Sequence, residues 1–137
     1  EKMGVKRYKI ACNWGNKTNL MNEINKTKKP VIISSNDLVA RPPTMEGEVL
    51  MMYCVPKYPA LYSDLHFSKI DFINNYRGYS DHTIGLDACK MALTLGCKTI
   101  EKHFCYDHQT GVDALWSMTP NELRELKHFT LKIKDAL

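Results

Sequence analysis

The sequence contains no apolar run approaching the roughly 20 residues that a membrane-spanning helix requires. No signal peptide is visible either. Its five cysteines, Cys12, Cys54, Cys89, Cys97 and Cys105, are odd in number, and no two show CxxC spacing. That pattern argues against a disulfide framework and for a reducing, cytoplasmic compartment. There is no internal repeat and no low-complexity tract. Strong charge is lacking too: the net charge is +4 and the basic residues are scattered. The densest basic cluster, Lys26-Thr27-Lys28-Lys29, suits a solvated helix end better than nucleic acid. The expected partners are therefore anionic small molecules, with no nucleic acid and no membrane. What remains is ordinary globular composition, 44% hydrophobic and 25% charged over 137 residues, about one modest domain. The chain opens Glu1-Lys2-Met3-Gly4 without an initiator Met, which suggests a fragment.

Five β-rich segments follow one another. They are Arg7 to Cys12, Val31 to Ser35, Val49 to Val55, a weak one at Arg77 to Ser80, and Thr99 to Phe104. Several are near-continuous apolar runs, which favours strands covered on both faces. Helical patterns lie between most of them: Asn19 to Lys28, Asp64 to Asn75, and Ile84 to Leu95 with Gly96 as its C-terminal cap. A last helix opens at Thr119-Pro120-Asn121-Glu122, a capping box with Pro at the first helical position. Leu123, Leu126, Thr130, Ile133 and Leu137 then recur at helical spacing. One link is irregular. Between Ser35 and Val49, Pro42-Pro43 and Gly47 leave no room for a normal helix, and a parallel crossover needs roughly 10–12 residues. Strand–helix alternation predicts right-handed βαβ units and a parallel sheet.

In such sheets, sites form at the C-terminal strand ends. Those ends here carry Lys9, Ser34, Ser80, His82 and His103, with Cys12, Cys54 and Cys105 nearby. His82 and His103 lie 21 residues apart, as adjacent strands of one βαβ unit would place them. Two neutral imidazoles plus waters suit Mn²⁺ or Zn²⁺. Alternatively, each caps a helix or bonds a backbone carbonyl, and both readings stay open. Lys9, Ser34 and Ser80 offer charge and hydroxyls to an anion, though the serines also suit turn backbone groups. Asp81 either orients His82 or caps the following helix. Glu101 and Lys102 alternate in facing, so only one of them points inward. Buried cysteines usually act as small hydrophobes. A Schiff base on Lys9 or Lys102 is a further alternative.

Gly78-Tyr79-Ser80-Asp81-His82-Thr83-Ile84-Gly85 and Ile100-Glu101-Lys102-His103-Phe104 resemble the N-acetylneuraminate (sialic acid) synthase family, including legionaminate and pseudaminate synthases. The resemblance runs from about Val5 to about Leu126. Tyr8-Lys9-Ile10-Ala11, Lys29-Pro30-Val31-Ile32, Cys54 with Tyr58-Pro59, and Trp116-Ser117-Met118-Thr119-Pro120 follow in family order. The resemblance implies the C-terminal half of a (β/α)8 TIM barrel over residues 1–137, about five parallel strands with intervening helices. It implies condensation of phosphoenolpyruvate with an N-acetylated aminosugar to a nonulosonic acid. His82 and His103 match catalytic metal ligands, with Mn²⁺ ahead of Mg²⁺. Lys9, Ser34 and Ser80 match positions that hold phosphoenolpyruvate, and Tyr58 and Asp113 match positions that contact the sugar.

Departures accompany the match. The family has a Ser near Cys12 and a catalytic Glu near Trp14, in a stretch that here reads Cys12-Asn13-Trp14-Gly15-Asn16 without a carboxylate. Pro56 replaces an Asn or Ser, and the helix after the second strand is missing. The first three barrel strands and the family's antifreeze-like domain have no counterpart here. Five strands do not close an eight-stranded barrel, so we expect a homo-oligomer or association with the missing half. The competing expectation is a non-catalytic half-barrel remnant serving as a binding or assembly module.

Overall fold

The computed structural model describes residues 4–14, 18–39 and 42–134, with the Trp14 side chain excepted. Five strands form one sheet: β1 (Tyr8–Ile10), β2 (Val31–Ser35), β3 (Val49–Cys54), β4 (Gly78–Asp81) and β5 (Thr99–Lys102). Every pairing is parallel, and the spatial order equals the chain order. A doubly wound sheet would reverse direction at a switch point. This one advances in a single sense and curls into half a barrel wall.

The strands alternate as the pleat requires. Ile10, Val31, Ile33, Met51, Tyr53 and Tyr79 point to the convex face and join the main core. Their neighbours Lys9, Ser34, Cys54, Ser80 and Glu101 point to the concave face. A Cβ at Gly78 would lie 2.9 Å from Met52 Cε, so a side chain there would have to displace the flexible end of Met52.

Three helices cover the convex side: α1 (Thr18–Lys26), α2 (Asp87–Thr94) and α3 (Pro120–Lys134). None of the described helices is long and apolar enough to cross a membrane. The α2 helix ends at Gly96, whose φ of 104° suits the left-handed cap. At α3 the capping box forms as read from sequence. The Thr119 amide donates to Glu122 Oε2 at 2.8 Å, and the Glu122 amide donates to Thr119 Oγ1 at 3.4 Å. Leu126 anchors α3 against Leu86, Cys89 and Leu93 of the α2 region. Leu123, expected on the same stripe, is instead 46% exposed, and Leu137 lies outside the described residues.

The helix expected over Asp64 to Asn75 does not form. Two 3-10 turns, Tyr62–Asp64 and Phe67–Lys69, and a run of turns replace it. Local polar groups capture the backbone that a helix would use. Asp71 Oδ1 accepts the Ile73 and Asn74 amides, Asp64 Oδ2 accepts the Leu61 amide, and His66 sits at φ 48°. The apolar periodicity there records a packed cluster. Phe67 meets Tyr79 edge-on at 5.0 Å and Phe72 at 5.4 Å, and Tyr76 meets Tyr53 at 5.6 Å.

The link from β2 to β3 has no helix among its described residues, as expected. Gly47 lets it cross the end of the α1 turn, since a Cβ there would sit 2.2 Å from the Lys29 carbonyl oxygen.

Candidate active site

At the C-terminal end of the sheet a cavity of about 210 Å³ opens on the concave face. Lys9, Ser34, Tyr58, Ser80, His82 and His103, all singled out from sequence, line it. Asp113 stands just behind, its Oδ2 at 3.5 Å from His103 Nδ1. All seven residues therefore converge on one place. A larger recess of about 570 Å³ lies beside α1 and the β2–β3 link, where a crossover helix would otherwise pack. It contains no histidine, and it shares Cys12 and Ser34 with the smaller cavity.

His82 leaves the end of β4 and is buried. Its Nδ1 lies 2.9 Å from the Val55 carbonyl oxygen, which assigns the proton to Nδ1 and leaves Nε2 with a free lone pair. Burial, and secondarily the neighbouring His103, push the His82 pKa down against the backbone bond that would raise it. The imidazole is thus neutral at pH 7. Of the two readings of this residue from sequence, the bond to a backbone carbonyl is present, and Nε2 is left open.

The His103 ring stands 5.5 Å from that of His82, centroid to centroid. Tyr58 packs over both, at 4.2 Å from His82 and 5.9 Å from His103, and lies 6.2 Å from Trp116. The Trp116 Nε1 is buried with no partner among the described residues. The donor chemistry suits a divalent cation, since two imidazoles share one rim. Among the described residues no group of three or more His, Cys, Asp or Glu is arranged to hold a metal ion. To hold a metal, the pair would need water, substrate or other residues to complete its ligand set.

Deeper in the cavity, Glu101 Oε1 accepts hydrogen bonds from Lys9 Nζ at 3.0 Å and Ser80 Oγ at 2.8 Å. Sequence reasoning had not assigned Glu101 a site role. The signal was present: Glu101 and His103 are two apart on one strand and so share a face. Lys102 points the other way, into the protein, with its Nζ 2.7 Å from both Asp81 Oδ2 and the Thr83 carbonyl oxygen. It is not available as a Schiff-base amine. Asp81 follows the same outward course, so it neither touches His82 from the site side nor lines the cavity.

Ser34 Oγ is buried and has no partner among the described residues. An orphan hydroxyl in a polar cavity is an open position for a ligand oxygen. Cys12 and Cys54 also line the cavity. Burial, ahead of the nearby Cys12, pushes the Cys54 thiol up to about 12, and burial raises Cys12 as well. Both stay protonated, which removes a thiolate role.

Similarity to known proteins agrees with this geometry. The chain is 32% identical to an uncharacterized protein of Methanocaldococcus jannaschii, over 91% of this chain and 41% of that one. It is 30% identical to the N,N'-diacetyllegionaminic acid synthase of Legionella pneumophila, over 98% of this chain and 42% of that one. Its fold matches the crystal structure of an N-acetylneuraminic acid synthetase from Leptospira borgpetersenii with a TM-score of 0.83 and 26% identity, over 98% of this chain and 52% of that one. The chain spans less than half the length of these curated relatives. The NeuB family model matches residues 1–137, and this half-barrel with two histidines over a polar cavity belongs to the NeuB family.

Proposed function

We propose that the native protein condenses phosphoenolpyruvate with an N-acetylated aminosugar aldehyde to give a nonulosonic acid and phosphate. This chain supplies the C-terminal half of the barrel and much of the site. One observation carries the reading: His82 and His103 stand side by side above a cavity lined by Lys9, Ser34 and Ser80.

In this reading Lys9 and the two serines hold the phosphoenolpyruvate anion. Lys9 Nζ has three donors and gives one to Glu101, leaving others for phosphate or carboxylate oxygens. The Ser34 hydroxyl, without a partner in the chain, donates to the same anion. Tyr58 and Asp113, on either side of His103, contact the sugar. A divalent cation, Mn²⁺ ahead of Mg²⁺, held by His82 and His103 would supply Lewis-acid polarisation of the aldehyde oxygen. The balance is simple. C3 of phosphoenolpyruvate bonds to the aldehyde carbon, water adds at C2, and phosphate leaves. The edges β1 and β5 are where further barrel strands or another copy would pair. The compartment that fits is the cytoplasm.

The test is phosphate release from phosphoenolpyruvate with N-acetylmannosamine and related sugars, with and without Mn²⁺. Calorimetry on the full chain accompanies it. Mn²⁺ binding lost on combining His82→Ala with His103→Ala, together with turnover, is the expected result. Binding unchanged in that variant would remove the metal assignment. The second reading, a non-catalytic remnant, rests on the stretch Cys12-Asn13-Trp14, which has no carboxylate. Mn²⁺ binding without turnover by the full native protein would favour it.

A further inference from the structure

Behind the cavity wall, on the convex face, lies a closed polar network that the proposed chemistry does not use. Asp81 Oδ2 meets Lys102 Nζ at 2.7 Å, and the two side chains are 0% and 1% exposed. The same Lys102 Nζ donates to the Thr83 carbonyl oxygen at 2.7 Å. Asp81 Oδ1 accepts from Tyr79 OH and the Thr83 amide, each at 2.9 Å, and Oδ2 accepts from Cys89 Sγ at 3.1 Å. Both oxygens of the carboxylate are thus bonded, and the lysine is held at both ends of one turn.

A buried ion pair is a weak source of stability. Desolvating two charges offsets most of what their attraction returns, and well-packed apolar residues would serve the core as well or better.

The position of the pair suggests what it is for. Asp81 and Lys102 are directly opposite in the β4–β5 ladder. Each is flanked by concave-face groups, Ser80 in β4 and His82 just past its end, Glu101 in β5 and His103 just past its end. Side chains alternate across the sheet, so fixing the convex-face pair fixes the strand ends from which its neighbours project. The next residues along are the two histidines, one step past the last β4–β5 pair; their carbonyl oxygens accept from the Ala60 amide at 2.9 Å and the Met118 amide at 2.7 Å, and the ion pair is the tie that joins the two strand ends to each other.

We propose that Asp81 and Lys102 are positioning residues: their ion pair clamps the ends of β4 and β5 from behind and so sets the spacing and aim of His82 and His103. The metal arm of the test rests on the reading of these histidines as a ligand pair, and the ring-contact arm does not. Outer partners that orient ligands typically change metal affinity about 10- to 100-fold when removed.

The experiment combines Asp81→Asn with Lys102→Met in the full chain. Asn keeps an acceptor for Tyr79 OH and the Thr83 amide, while the pair and its charge are removed together. Folding is followed by a cooperative thermal transition. NMR of the metal-free protein reads the contacts of the His82 ring with Tyr58 and His103, and titration with Mn²⁺ reads affinity. A folded variant that loses those ring contacts, with Mn²⁺ binding weakened at least about 10-fold, is the expected result. A folded variant with unchanged ring contacts overturns the proposal. An unfolded variant overturns it too, because the pair would then serve the fold itself. If the unaltered chain binds no Mn²⁺, the metal reading fails, while the ring contacts still decide the positioning role.

Discussion

The two faces of the sheet are built from the same strands and share almost no chemistry. Along β4, Tyr79 points to a core of Tyr53, Phe67 and Phe72, whereas Ser80, the next residue, points to Glu101 and the cavity. Among the described strand residues the convex face is mainly apolar and holds the closed Asp81–Lys102 ion pair. The concave face carries Lys9, Ser34, Glu101 and two histidines, several of them partly exposed. The difference teaches that stability and chemistry occupy opposite sides of a single backbone layer. Substitutions on the convex side should lower stability, and those on the concave side should lower ligand binding without lowering stability. Phe72→Ala tests the stability side with the largest expected effect. The ring is 1% exposed and packs edge-on against Phe67 and Tyr79. Truncation there should cost about 3–5 kcal/mol in urea unfolding. A loss below about 1 kcal/mol would mean that the aromatic cluster does not carry the β3–β4 connection.

The reverse experiment uses Ser34. Its hydroxyl is buried and unpartnered among the described residues, so it costs stability rather than adding to it. Ser34→Ala should raise unfolding stability by about 1 kcal/mol and weaken retention of phosphoenolpyruvate, measured by calorimetry. A destabilised variant with unchanged ligand binding would erase the contrast between the faces at that position.

The β-strands were legible because their apolar runs are short and bounded by Pro30, Gly47 and Gly96. The α3 start was legible because a capping box is a local device, decided within four residues. The segment Asp64 to Asn75 was misread because periodicity counts only apolar spacing. Asp71 and His66 act through hydrogen bonds and a left-handed backbone that no spacing reveals. At the site, the seven residues were placed by family motif and strand-end logic. Glu101 had only the alternation rule behind it. The ion pair of Asp81 with Lys102 joins residues 21 apart on adjacent strands. Its existence depends on the β4–β5 register, which the sequence does not state.

The smallest effect concerns Glu122, on the convex side and outside the cavity, where a charge does serve the fold. Burial pushes its carboxyl up, but bonds from Thr119 and the charge of His108 outweigh this and hold it below the ordinary 4.5. A carboxylate with a lowered folded pKa binds its proton more weakly when folded than when unfolded. Its contribution is therefore complete above about 4.5, the unfolded value, and drains away as pH falls through the lower folded value. Glu122→Gln keeps the hydrogen-bonding geometry of the capping box and removes the charge at the helix start and beside His108 Nε2, 3.1 Å away. At pH 7 the variant should be less stable by about 0.5–1 kcal/mol. The gap should close as the solution is acidified below the ordinary carboxylate value, because the native Glu122 is then neutral as well. Other buried carboxylates, Asp81 among them, titrate in both proteins and cancel in the difference. Urea unfolding of the two proteins across an acid pH series measures it. Curves that stay parallel throughout would show that the charge contributes nothing and that geometry alone caps α3.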